Sequence, residues 1–355
     1  MNRLDKLRDA LDQIGADALI TESEVNRRYL SGFTGSTGWV IVTQKDAYLV
    51  TDFRYIDQAK EQCPLFTVVN NERKAVEAIA NVLKEAGVKR LAFEGSLSFS
   101  TYSTWKEAFE GVELMPTSGF MEKLRMYKDA SEVEIIKQAV KIADDAFQHI
   151  LGYIKPGVSE ADVALELEFF MRKQGATGVG FDIIAASGPR GALPHGRASD
   201  KIIKAGEMIT LDFGAQFQGY NSDITRTVSV GEPSAKMKEI YEIVLKAQIA
   251  GVEVLRPGIS GKEADAVTRD IISAAGYGEA YGHSAGHGLG MDVHELPNLS
   301  TVSPFILEPG MVVTMEPGIY LSGIGGVRIE DDVLITADGH EVLTQSTKEL
   351  LILPV

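Results

Sequence analysis

Apolar positions along the chain switch repeatedly between helical and strand periodicity. Leu4, Leu7, Leu11 and Ile14 recur three or four residues apart and predict an amphipathic helix, after which ADALIT, GWVIVT and DAYLVTD read as short strands punctuated by Gly and Asp. A helix near 54–63, a strand near 66–70 and a helix across 73–86, stopped by Gly87, lead into the strand RLAFE. This first stretch is a small α/β domain. A long helix is then expected over 131–151, opened by a Ser131 to Glu134 capping box. Further helices near 159–174, 234–255 and 260–275 alternate with strands concentrated in 178–230 and 310–353. The boundary falls within 123–128, giving domains 1–125 and 126–355. No short repeat is apparent, and the fold class is α/β (α+β).

Composition narrows the function classes. The 355 residues carry 35 Lys and Arg against 50 Asp and Glu, a net charge of -15, so phosphate backbones and anionic membrane surfaces are repelled. Nucleic acid and membranes are therefore not expected as partners. The leading MNRLDKLRDALDQIGADALI interrupts every apolar run with charge, and no stretch of about 18 apolar residues occurs elsewhere. With Cys63 as the single cysteine, these features predict a cytoplasmic protein without disulfides. The segment LSGFTGSTG lacks the lysine of a phosphate loop and reads as a turn.

The chemistry concentrates in the second domain. In MITLDFGAQFQGYNSDITRTVSV, alternation sets Thr210 and Asp212 on one strand face, and a four-residue loop over Gln216 to Gly219 pairs Ala215 with Tyr220 and places Asp212 opposite Asp223. Facing carboxylates repel unless a cation lies between them. The pattern returns in MVVTMEPGIYLSGIGGVRIEDDVLIT, where Glu316 and Glu330 flank a glycine-rich reversal, so two related halves surround one site. Between the hairpins, YGHSAGHGLGMDVHELP holds three of the six histidines. Four carboxylates and one imidazole suit two divalent ions sharing bridging ligands, with Mn, Co, Zn or Fe all tolerated by such a donor set.

These segments resemble a known family. LDFGAQFQGYNSDITRT, HSAGHGLGMDVHELP, MEPGIY and VRIEDDVLI are similar to the motifs of the methionine aminopeptidase, prolidase and aminopeptidase P family, whose catalytic domain has the pita-bread fold with two pseudo-symmetric αβ halves. The likeness spans 126–355, while GFTGSTG and TDFRY in the first domain resemble the creatinase-type leading domain. The resemblance implies metal ligands at Asp212, Asp223, His287, Glu316 and Glu330, two divalent ions with manganese foremost, and Glu316 as the proton carrier. It implies that His195, in LPHGRASD, and His294, in DVHE, contact the substrate carbonyl, and that His283 and Arg328 stand on the substrate side. Arg328, two residues before Glu330 on the same strand face, can also orient a ligand carboxylate.

The implied activity is hydrolysis of the Xaa-Pro bond, either in dipeptides or from the amino terminus of short peptides, by a homodimer. The leading domain favours this proline-specific branch over a methionine aminopeptidase. Some prolidases carry an arginine shortly after HE-x-P, and this chain has Asn298 there, so dipeptidase and aminopeptidase both stay open. A metal-free creatinase-like hydrolase or a non-catalytic binding homologue is the competing reading.

Overall fold

The computed structural model describes residues 2–355. Its backbone divides into two compact units, one ending at Arg125 and the other beginning at Met126.

In the first unit, six strands form one mixed sheet: β1 (Ala18–Thr21), β2 (Trp39–Thr43), β3 (Ala47–Thr51), β4 (Thr67–Asn70), β5 (Arg90–Glu94) and β6 (Glu113–Thr117). Their order is β4-β3-β2-β1-β5-β6, antiparallel within β1-β2-β3 and parallel elsewhere. The leading helix α1 (Arg3–Ile14) buries Leu4, Leu7 and Leu11, is capped by the Asn2 side chain, and ends at Gly15 with φ 66°. Helices α3 (Ile56–Gln62) and α4 (Ala75–Glu85) fall where apolar spacing places them. Three others, α2 (Glu24–Ser31), α5 (Phe99–Ala108) and α6 (Phe120–Arg125), lie outside the periodic pattern, because α5 buries only Trp105 and α2 buries Asn26 and Arg27.

The second unit is built twice from one plan. Helices α7 (Ala130–Ile150) and α8 (Glu160–Lys173) accompany a four-stranded sheet, β20-β12-β9-β8. Its strands are β8 (Ile184–Ser187), β9 (Met208–Phe213), β12 (Ile224–Val230) and β20 (Ile352–Leu353). Helices α9 (Ala235–Glu253) and α10 (Gly261–Ala274) accompany a five-stranded sheet, β14-β13-β15-β18-β19. Its strands are β13 (Gly286–Gly288), β14 (Glu295–Leu299), β15 (Val312–Met315), β18 (Asp331–Ile335) and β19 (His340–Val342). Small ladders extend the hairpins: β10 (Ala215–Phe217) with β11 (Tyr220–Asn221) and β7 (Gly178–Val179), and β16 (Gly318–Leu321) with β17 (Gly325–Arg328). Phe147, Leu167, Leu211 and Val228 fill the core of the first half, and Leu255, Val313 and Val333 that of the second.

A short repeat missed in the sequence marks the two halves. Pro156-Gly157-Val158-Ser159 precedes α8, and Pro257-Gly258-Ile259-Ser260 precedes α10. Each serine caps its helix in a capping box. The amides of Gly157 and Gly258 donate to the carbonyls of Ile203 and Leu307, whose own amides return to Val158 and Ile259. Four residues with the same sequence pattern thus make the same backbone bonds in both halves. The capping box of α7 also differs from expectation: Asp129, not Ser131, is the cap, with Glu132 as its reciprocal partner. Asp129 accepts the amides of both Ser131 and Glu132, and the Ser131 hydroxyl donates to the same carboxylate.

Candidate metal centre

The two β-hairpins supply the acidic side chains. In the first, β9 and β12 pair with Asp212 opposite Thr225, and the same register continues as Gln216 opposite Asn221 beyond a break. The turn is therefore two residues, Gln218 and Gly219, both left-handed at φ 48° and 84°, as two-residue hairpin loops require. This corrects the expected four-residue loop and moves Asp223 two places from the position facing Asp212. A shift of two preserves the side-chain face in a regular strand. At the break, a Cβ on Gly214 would come 1.8 Å from the Ser222 carbonyl oxygen, so only glycine permits that approach.

In the second hairpin, β15 pairs with β18 through Met315 and Asp331, and β16 with β17 through Gly318 and Arg328. Both ladders share one register, and continuing it through the break sets Glu316 opposite Glu330, as expected. The equivalent of that pair in the first hairpin is Asp212 with Thr225. Thr225 donates to Glu330 Oε2 at 2.7 Å, joining the two halves.

Around this junction Asp223, His287 and Glu330 each present a ligand atom, all within 4.8 Å of one another. His287 Nε2 lies 3.7 Å from Asp223 Oδ2 and 3.3 Å from Glu316 Oε1. Its Nδ1 approaches the Gly288 carbonyl at 3.1 Å, which fixes the proton on Nδ1 and leaves the Nε2 lone pair directed at carboxylate oxygens. Burial holds the imidazole below its ordinary pKa, so it does not supply a proton for those oxygens. Lone pair against carboxylate is an arrangement that a cation relieves.

The carboxylates state the same need. Burial, followed by the charges of Glu330 and Asp212, drives Asp223 well above the ordinary carboxylate range, and burial with Glu316 and Asp212 does so for Glu330. Glu316 is raised by burial as well. Asp212 Oδ2 accepts from Arg328 Nη2, while its Oδ1 is buried without a hydrogen-bond partner. A compact set of buried carboxylate oxygens, one neutral imidazole nitrogen and an orphaned oxygen fits divalent cations.

All five residues border one cavity of about 710 Å³, together with His195, His283, His294 and Arg328. His294 packs edge-on against His287 with ring centroids 4.4 Å apart and is held below its ordinary pKa by burial. His195 is exposed on the same wall. His283 directs Nδ1 to the Ser284 carbonyl and Nε2 to the Tyr320 hydroxyl, each at 2.8 Å. Arg328 spends Nε on Thr225, Nη1 on Tyr320 and Nη2 on Asp212. Thr225, Tyr320 and Asp332, which accepts the Asp223 amide at 3.0 Å, were not singled out from sequence. Tyr320 lies inside the MEPGIY motif, so its place there was the available signal; Thr225 required the correct register.

The family model for metallopeptidase family M24 matches residues 134–337. The chain belongs to that family. Residues 3–127 match the creatinase/prolidase N-terminal domain. A Xaa-Pro dipeptidase from Bacillus anthracis is similar in structure, with a TM-score of 0.97 and 54% identity over 99% of both chains. An X-Pro aminopeptidase from Thermotoga maritima has a TM-score of 0.91 and 39% identity, over 97% of this chain and 99% of that one. In sequence, the Xaa-Pro dipeptidase of Pyrococcus furiosus is 42% identical over 98% of this chain and 99% of its own. As an M24 member the chain is a hydrolase of the peptidase class, with a creatinase-type leading domain and a pita-bread catalytic domain. The family implies divalent-metal cofactors, and the donor set described above accommodates them.

Proposed function

We propose that this M24 peptidase is a dinuclear metalloexopeptidase cleaving the Xaa-Pro bond of dipeptides, with Asp212, Asp223, His287, Glu316 and Glu330 holding two divalent ions, manganese foremost. The observation that carries it is His287 Nε2 facing Asp223 and Glu316 inside a buried carboxylate cluster, within a chain similar to Xaa-Pro dipeptidases. Bound there, divalent ions supply Lewis-acid polarisation of the scissile carbonyl and lower the pKa of water.

The chain's own groups do the rest. Glu316, already raised in pKa by burial, takes the proton of the attacking water and delivers it to the proline nitrogen. That delivery is essential because the X-Pro nitrogen carries no hydrogen and leaves poorly until protonated. His294 is neutral near pH 7 and, with His195, donates to the carbonyl oxygen as charge develops on it. His283 and Arg328 border the cavity with their nitrogens committed to neighbours, so they shape and charge it. No helix among the described residues is long and apolar enough to cross a membrane, and we place the activity in the cytoplasm on the strength of the charge pattern and single buried cysteine.

A second reading, removal of the amino-terminal residue from longer Xaa-Pro peptides, is favoured by Asn298 on the cavity wall and by similarity to the Thermotoga maritima aminopeptidase. Ala-Pro, Ala-Pro-Ala and Met-Ala-Ser distinguish the readings. Turnover of Ala-Pro supports the dipeptidase, turnover of the tripeptide alone supports the second reading, and turnover of Met-Ala-Ser alone removes both. Full activity after complete chelation would overturn the metal-dependent mechanism.

A further inference from the structure

A dipeptide differs from every longer substrate by a free carboxylate on the proline ring, and proline's fixed φ projects that group in one direction. A site that selects it needs a donor of positive charge on the wall beside the carbonyl-contacting histidines. The cavity is bordered by two arginines among the described residues, Arg197 and Arg328. Arg328 is buried, and each of its three nitrogens already donates to Thr225, Tyr320 or Asp212. Its charge is paired with Asp212, and at 3% exposure its two remaining N–H groups offer little reach to a substrate.

Arg197 is different in each respect. Its side chain is 75% exposed, and Nη2 meets Asp182 Oδ2, likewise exposed and on the same cavity wall, at 2.9 Å. An arginine has five N–H donors, so this ion pair leaves most of the fork for a second carboxylate. The backbone beneath it is fixed. Arg197 bridges to Ile184, and its carbonyl accepts from Arg190 Nη2 at 2.6 Å. Arg190 in turn is held by Glu160, a fully buried carboxylate that also accepts from Ser187 and Ser199. This network anchors the main chain two residues after His195, while the largely exposed Arg197 side chain lines the cavity. Asp182 limits its sweep, which lowers the ordering cost of binding.

We propose that Arg197, steadied by Asp182, is the specificity determinant that binds the free carboxylate of the Xaa-Pro dipeptide. Asn298, on the same cavity, offers only a neutral amide, which makes weaker bonds to a carboxylate than a guanidinium does. The proposal rests on the dipeptidase reading and deepens it.

The test compares wild type, Arg197→Met and Arg197→Lys on Ala-Pro and Ala-Pro-amide, which differ only in that carboxylate. Wild type is expected to prefer Ala-Pro. Arg197→Met is expected to raise KM for Ala-Pro about 10- to 100-fold, the range of a charge-assisted bond, with kcat within about twofold. Its kcat/KM for the amide is expected to stay unchanged, and Arg197→Lys to recover part of the loss. Equal effects on both substrates, or an unchanged preference for Ala-Pro, would overturn the role of Arg197 while leaving the dipeptidase reading intact. A wild type that hydrolyses the amide as well as the acid also overturns it, and one inactive on both removes the functional proposal with it.

Discussion

Thr225 donates its hydroxyl to Glu330 Oε2 at 2.7 Å, and the Glu330 amide returns to the Thr225 carbonyl at 3.1 Å. These reciprocal bonds join the two hairpins at equivalent positions, since Thr225 faces Asp212 as Glu330 faces Glu316 when the register shared by the two ladders of the second hairpin is carried across its break. One half contributes a carboxylate where the other contributes the hydroxyl that orients it. Thr225→Val keeps the shape, removes the donor and deprives Arg328 Nε of its acceptor. Groups that orient a ligand are worth about 10- to 100-fold in metal affinity. Calorimetric titration of the metal-free variant should show a loss of that size, and affinity within twofold of wild type would show that Glu330 holds its position unaided.

Metal binding and pH are coupled with a definite sign. Without cations, burial raises Asp223, Glu330 and Asp332 well above their ordinary pKa values in the folded protein. The unfolded chain releases these protons near pH 4 while the folded chain retains them. Stability of the metal-free protein is therefore lost as pH rises from about 4 through the raised folded-state values. Ions that keep the carboxylates charged cancel this loss. At a metal concentration about 100 times Kd, the gain of about 2.7 kcal/mol corresponds to a Tm increase of about 5–10 °C at neutral pH. The increase should shrink toward pH 5 as protons compete for the same oxygens. A metal-induced shift that is constant from pH 5 to 8 would contradict the assignment.

Tyr320 links Arg328 to His283. Burial pushes its pKa up to about 12, so it remains a neutral phenol, accepting from Arg328 Nη1 at 2.7 Å and donating to His283 Nε2 at 2.8 Å. Tyr320→Phe leaves one donor and one acceptor unpaired in a partly buried place, at a cost of about 1 kcal/mol. We expect kcat/KM for Ala-Pro to fall about tenfold with metal content unchanged. An unaltered kcat/KM in steady-state assays would show that the tyrosine only fills space.

How far the sequence revealed this site depends on the range over which each signal acts. The alternation around Asp212 and the glycine-rich reversal between Glu316 and Glu330 are local, so both hairpins were legible. The pairing of Asp212 was not, because it turns on whether the loop holds two residues or four, and Gln218 does not announce a left-handed conformation. An error of two left Asp223 on its expected face but hid Thr225. The Pro-Gly-Val-Ser and Pro-Gly-Ile-Ser repeat was missed because it is four residues long and its partners, Ile203 and Leu307, lie more than forty positions downstream. Helix α5 escaped notice because a helix that buries one residue has no apolar stripe.

Arg226 shows what a pattern-based reading passes over entirely: an arginine in an otherwise buried strand that is itself 1% exposed. Its guanidinium reaches Asp331 Oδ1 at 2.7 Å, the carbonyls of Ser346 and Thr347 at 2.7 and 2.9 Å, and those of Thr225 and Glu330. It thus ties β12 to the second hairpin and to the segment leading into β20. Arg226→Met approximates its length and leaves Asp331 still paired with Lys348 and Gln248, so the carboxylate is not stranded. The carbonyls lose their guanidinium donor, and breaking such a buried network costs about 3 kcal/mol. Urea denaturation of the metal-free variant should show that loss, because the interaction exists without any ion. Since the Thr225 and Glu330 carbonyls both lose the guanidinium, with the Thr225 carbonyl keeping only the Glu330 amide, metal affinity should weaken too. A variant that loses stability but binds metal normally would mean that Glu330 is positioned by Thr225 alone; a stability change under 1 kcal/mol would mean that the arginine's bonds are replaced by solvent.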